Sequence, residues 1–154
     1  MAEGKPFNDP QLVRAYANYC RRTVEFFQPD FLVTGIESNE LLYNKPKEWN
    51  AYLELSRHVQ RELRERFPRL PLSESVTLHK LLDRQNRGLA EYRVKIQEFV
   101  GSHDFFAVSF YPFFLGLHTE KEFAQALDYL PTFSSKPIAI TETGHPAEPI
   151  KVRT

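Results

Sequence analysis

Phe105-Phe106-Ala107-Val108-Ser109-Phe110-Tyr111, ended by Pro112, is a short, nearly continuous apolar run. Such a run suits a strand covered on both faces, as strands of a parallel sheet are. A helical pattern stands on each side of it. Upstream, residues 84 to 100 place Leu89, Tyr92, Ile96, Phe99 and Val100 on one face, with Gly101 as the residue expected to close the helix. Downstream, Thr119 with Glu122 three positions later is a capping-box signature for a helix carrying Phe123, Leu127 and Leu130.

The same alternation continues outward. Toward the N-terminus lie an extended segment at 72 to 79, read as alternating in the β manner, and a helix at about 47 to 67 with the stripe Trp49, Tyr52, Leu53, Val59, Leu63 and Phe67. Before these come the apolar run Phe31 to Ile36 and a helix at 11 to 27, with Asp9 as N-cap and Pro10 at its first position. Toward the C-terminus, Pro137 to Glu142 reads as a last strand. The order is αβαβαβαβ, and strand starts at 31, 72, 105 and 137 lie roughly 41, 33 and 32 residues apart, the spacing of βαβ units. An α/β fold of four parallel strands alternating with helices, in one domain over 1–154, is the expectation.

Composition narrows the function classes. Of 154 residues, 42% are hydrophobic and 14% aromatic, enough to build a core, so disorder is excluded for most of the length. Lys+Arg and Asp+Glu both count 20, so no global field attracts nucleic acid or an anionic membrane, and neither partner is expected. No run approaches the roughly 18 apolar residues of a membrane span. The start MAEGKPFNDP lacks the apolar core of a signal peptide, so the chain as it stands is expected to be cytoplasmic unless a longer parent carries a leader. The single Cys20 excludes an internal disulfide and a thiolate metal cluster. His79, His103, His118 and His145 show no metal-ligand spacing, so neither metal nor cofactor is expected.

In a parallel α/β sheet, functional side chains gather where strands end. Here those ends read Gly35-Ile36-Glu37-Ser38-Asn39-Glu40, Thr77-Leu78-His79, Ser109-Phe110-Tyr111-Pro112 and Thr141-Glu142-Thr143-Gly144-His145. Carboxylates on separate strand ends are what glycoside hydrolysis needs: one donates a proton to the leaving oxygen, the other attacks the anomeric carbon or activates water. Their environments must differ for one to hold its proton while the other stays ionised. Glu40 is preferred to Glu37 as the acid, because Glu37 reads as a structural partner within the loop. His79 and His145, just after strands, are placed to line a sugar cleft. Phe113 and Phe114 are better placed to stack on sugar faces than Trp49, which belongs to a helix stripe.

Asn39-Glu40, Ser109-Phe110-Tyr111-Pro112 and Ile140-Thr141-Glu142-Thr143-Gly144 resemble the ends of strands four, six and seven in clan A glycoside hydrolases, nearest to the arabinogalactan endo-β-1,4-galactanase-like and cellulase-like families. The resemblance implies a (β/α)8 TIM barrel, present in part, and a retaining β-glycosidase acting on a galactan- or glucan-like polysaccharide. It implies Glu40 as acid/base, Glu142 as nucleophile, Asn39 as the donor to the sugar 2-hydroxyl and Tyr111 as the hydroxyl that touches the nucleophile. Ser109 stands where many members carry His. A complete barrel needs about 250 residues and eight strands, so this chain resembles strands four to seven alone. The clan's Arg on strand two and Trp on strand eight have no counterpart. The competing expectation is a catalytically silent barrel fragment that binds carbohydrate or pairs with another chain, and the apolar end segments Phe31 to Ile36 and Pro137 to Ile140 point to self-association through open sheet edges.

Overall fold

In the computed structural model, which describes residues 4–83 and 88–148, the Asp9 carboxylate accepts from the backbone N–H of Gln11 and Leu12 at 3.0 and 3.1 Å and starts helix α1 (Pro10–Phe27). The chain then alternates: β1 (Leu32–Val33), α2 (Asn39–Asn44), α3 (Trp49–Arg66), β2 (Leu72–Ser73), β3 (Ser75–Thr77), α4 (Leu78–Leu82), α5 (Leu89–Gly101), β4 (Phe106–Phe110), α6 (Glu120–Asp128), α7 (Leu130–Phe133) and β5 (Ile138–Thr143). Short 3-10 turns at Pro46–Glu48 and Pro112–Leu115 complete it. The expected capping box is formed in both directions at Thr119 and Glu122.

All strand pairs are parallel: β1 with β2, β3 with β4, and β4 with β5. Between β2 and β3 the ladder to the first strand continues through backbone bonds, Thr34 N–H to Ser73 O and Ser75 N–H to Gly35 O, both 2.8 Å. The segment 72–77 therefore acts as one interrupted strand, giving four parallel strand paths in chain order, the arrangement of a partial α/β barrel.

Two apolar cores lie between sheet and helices. Ala17, Cys20 and Val24 of α1 pack with Leu55, Val59 and Leu63 of α3 and with Leu72. Val76, Phe106, Val108 and Phe110 pack with Ile96 and Phe99 of α5, Leu130 and Phe133 of α7, and Trp49. Each fully buried Val, Leu, Ile or Phe among them contributes about 1.5–3 kcal/mol. Because strand side chains alternate, Ala107 and Ser109 face the opposite side from Phe106, Val108 and Phe110.

Several local expectations change. The strand expected over 72–79 stops at Thr77, and its residues are buried without alternation, so His79 lies on α4. The physical cause is Asn39: its Oδ1 accepts from the Thr77 N–H at 2.8 Å and its Nδ2 donates to the Thr77 carbonyl at 3.1 Å, taking both backbone groups that would extend the ladder. Gly101 remains the last helical residue with no left-handed turn, and Ser102 caps instead, its hydroxyl donating to Phe99 O at 2.7 Å. The first part of the helix expected from 84 lies outside the described residues.

Gly35 ends the first strand under a tight constraint. A Cβ there would stand 2.5 Å from Glu74 Oε2, 2.6 Å from the Tyr52 hydroxyl and 2.9 Å from Ser38 Oγ. Gly35→Ala is expected to destabilise the fold by about 1–3 kcal/mol through overpacking, measured as a lower urea midpoint; an unchanged midpoint would show that these oxygens can retreat.

Candidate active site

Because all strands run the same way, Glu37, Thr77, Tyr111 and Glu142 arrive at one end of the sheet. Glu142 reaches it through a register shift. Phe106, Ala107 and Val108 pair with Ile138, Ala139 and Ile140, but Ser109 pairs with Glu142, so Thr141 is the extra residue of a bulge. Without it, Glu142 would continue the helix-facing row of Ile138 and Ile140. With it, Glu142 shares the face of Ser109. The Thr141 and Thr143 hydroxyls donate to Val108 O and Phe110 O at 3.3 and 2.7 Å, fixing the bulge to β4.

The Tyr111 hydroxyl donates to Glu142 Oε1, and this bond, ahead of partial burial, raises the Tyr111 pKa. Gly144 lets the chain pass the Tyr111 ring, since a Cβ there would lie 3.1 Å from it. Phe113 and Phe114 pack edge-on against the same ring, with centroids at 5.8 and 6.0 Å.

Glu37 faces this pair from the end of β1. Its backbone is left-handed (φ 54°), a conformation costing a non-glycine residue about 1–2 kcal/mol. It is held there because its N–H donates to Ser75 Oγ and the next N–H, of Ser38, donates to Ser75 O, both at 2.9 Å. Burial raises the Glu37 pKa, and the charges of Glu142 and then Glu40 raise it further, while His79 and Ser109 oppose the shift. Ser109 is fully buried, and its Oγ completes no hydrogen bond among the described residues although it lies near enough to favour the charged Glu37.

Glu40 has a different environment. Burial works to raise its pKa, but His79, Lys80 and Thr77 outweigh it and the net shift is downward. Its Oε1 accepts from Thr77 Oγ1 at 3.1 Å and lies 3.3 Å from His79 Nε2, and its Oε2 accepts from Asn44 Nδ2 at 2.9 Å. His79 stacks at 5.2 Å on Phe114, and its Nδ1 is buried without a partner among the described residues. His145 is exposed, bonded locally to the Pro146 carbonyl at 3.0 Å.

Asn39, expected to face the sugar 2-hydroxyl, is 0% exposed, with its amide bonded to Thr77 and to the Tyr92 hydroxyl at 2.8 Å. Glu37, expected as a structural partner within the loop, lies two residues after Gly35 and faces Glu142.

The raised Glu37 pKa has a consequence for stability. Between the ordinary value of 4.5 and its raised value the folded state binds more protons than the unfolded one, so this group's contribution falls as pH rises through that window. Glu37→Gln is expected to raise the melting temperature at pH 7 more than at pH 4; an equal effect at both would remove Glu37 as a proton-retaining group.

No family model matches the sequence, and no curated protein matches it. Among solved structures, the GH53 catalytic domain from Ignisphaera aggregans is similar at a TM-score of 0.63 and 20% identity, over 87% of this chain and 38% of that one. The chain thus spans well under half the length of that domain, and the likeness is one of fold: part of a barrel like that of the GH53 catalytic domain.

Proposed function

We propose that this chain carries the acid and nucleophile carboxylates of a retaining β-glycosidase, with Glu142 as nucleophile and Glu37, in place of Glu40, as acid/base. The observation that carries the reading is the asymmetry between two carboxylates at one sheet end: Glu142 receives the Tyr111 hydroxyl, while Glu37 is pushed toward its protonated form by burial and by Glu142 itself. Glu40, engaged by Thr77, His79 and Asn44, is a poor proton donor and serves to tie α2 to α4.

In this reading a β-linked galactan- or glucan-like chain lies across the mouth. Phe113 and Phe114 offer apolar ring faces, and His79 and His145 offer polar contacts around them, while Ser109 stands buried beneath. Glu37 protonates the leaving oxygen as Glu142 attacks the anomeric carbon, and Glu37, now a base, activates water to release the sugar with retention. Tyr111 holds the Glu142 oxygen through its hydroxyl. The activity belongs to the assembled barrel, to which this chain contributes four strand paths.

The test is to treat a protein carrying the complete barrel with a 2-deoxy-2-fluoro aryl β-glycoside and locate the label by mass spectrometry. Attachment to Glu142 is expected; turnover of ordinary glycosides with the label elsewhere would overturn the assignment. A second reading, carbohydrate binding without turnover, is favoured by the open edges at β1 and β5, and calorimetry with oligosaccharides alongside turnover separates the two.

A further inference from the structure

Outside the mouth lies a buried carboxylate that the proposed chemistry does not use. Glu74 sits at the break between β2 and β3, 3% exposed, directed at α3. Its Oε2 accepts from Ser38 Oγ at 2.9 Å and from the Tyr52 hydroxyl, and its Oε1 accepts from Ser56 Oγ at 2.5 Å with His103 Nε2 at 3.8 Å. His103 is itself held by Phe99 O at 2.7 Å and Gln60 at 2.9 Å. Ser38 and Tyr52 also meet each other at 2.7 Å. The space is built for this cluster, since its oxygens occupy the position a Gly35 side chain would take.

The placement matters because Ser38 is the residue after Glu37. Residues 73 and 75 hold the backbone of 34 to 38 from the sheet side: Ser73 O takes Thr34 N–H, Ser75 N–H reaches Gly35 O, Ser75 Oγ takes Glu37 N–H, and Ser75 O takes Ser38 N–H. Glu74, between them, takes the Ser38 side chain from the helix side. The left-handed Glu37 is thus gripped on both sides by three consecutive residues of one strand path.

We propose that Glu74 is a positioning residue for Glu37: by clamping Ser38 it holds the left-handed turn that aims Glu37 across the mouth toward Glu142. The inference rests on the assignment of Glu37 as acid/base, yet its geometry can be read without turnover. A satisfied core carboxylate with no such role would join sheet to α3 and leave the Glu37 turn intact when the Ser38 contact is lost.

The experiment uses the 154-residue chain and its Ser38→Ala and Glu74→Gln variants. Carboxyl carbons of glutamate are titrated by NMR, with Glu37 assigned through Glu37→Gln, and amide hydrogen exchange is read residue by residue. The groups facing Glu37 in this titration are Glu142 of β5, Glu40 of α2, His79 of α4, and Ser109 and Tyr111 at the end of β4. In Ser38→Ala the Glu37 and Ser38 amides should exchange at least about tenfold faster while protection in β4 and α5 is kept. The Glu37 midpoint should fall by about 0.5 pH unit or more as the carboxyl swings toward water, with Glu40 unmoved. Glu74→Gln should move the same two readouts in the same direction. Unchanged exchange and titration at Glu37, or a uniform loss of protection across the fold, would overturn the proposal, the latter by assigning the cluster to global stability. If the complete barrel shows no turnover while these shifts appear, the catalytic reading fails and the clamp stands.

Discussion

Replacing Glu142 by Gln in the complete barrel is expected to reduce hydrolysis of aryl β-glycosides by about 10⁴-fold or more, the scale of losing a covalent nucleophile. The carboxamide keeps the shape and still meets the Tyr111 hydroxyl, so binding should survive while kcat collapses. Glu37→Gln should behave differently. Removing a general acid costs about 10²–10⁴-fold on a substrate that needs protonation, but dinitrophenyl glycosides, whose leaving group departs without a proton, should be largely spared in the first step. Comparing the two leaving groups in Glu37→Gln and Glu40→Gln therefore decides which glutamate is the acid. Selective loss on the poor leaving group in Glu40→Gln alone would return the role to Glu40 and refute the reading of Glu37. Steady turnover in Glu142→Gln would sink the nucleophile assignment altogether.

The second large effect concerns mass. β1 and β5 each pair on one side only among the described residues, leaving two edges with unsatisfied backbone groups. Phe31 and Ile36 beside β1 are 66% and 73% exposed, and Ile138 and Ile140 of β5 are 42% and 43% exposed. Natural edges are usually guarded by charge, and these carry apolar side chains. Two copies related by a two-fold axis would supply eight parallel strand paths, with β5 of one beside β1 of the other, the number that closes a barrel. The 154-residue chain alone is therefore expected to be dimeric or larger in light scattering, and Ile138→Lys with Ile140→Lys should return it to the monomer mass. A monodisperse, thermally stable monomer of the unaltered chain at high concentration would contradict this.

Much of the architecture was legible because it is written locally. The run Phe105 to Tyr111 forms its strand, and Asp9 and Thr119 cap the helices they precede, since apolar runs and caps act over a few residues. The helices α2 and α4 were not legible. They are short and depend on one long-range pair, the Asn39 amide with the Thr77 backbone. That pair also sets the surroundings of the Asn39-Glu40 motif: its Asn is turned into the core and its Glu into an ion-pair cluster. The surroundings of Glu37 were not legible, because a left-handed φ and the approach of charges from β5, α2 and α4 leave no mark on neighbouring residues.

The bulge at Thr141 makes the side on which Glu142 appears a question of parity. From Ile138 onward, even-numbered positions look toward the helices until one surplus residue reverses the count. The chemistry of the mouth thus depends on whether the residue between Ile140 and Glu142 is paired or surplus. Straightening the bulge, so that Thr141 takes the place opposite Ser109, would keep every residue of the sequence while moving Glu142 opposite Phe110 and turning it to the helix side. A change of register that conserves all the chemistry would in this way erase the proposed activity, whereas loss of Thr141 itself would leave Glu142 next after Ile140 and still opposite Ser109.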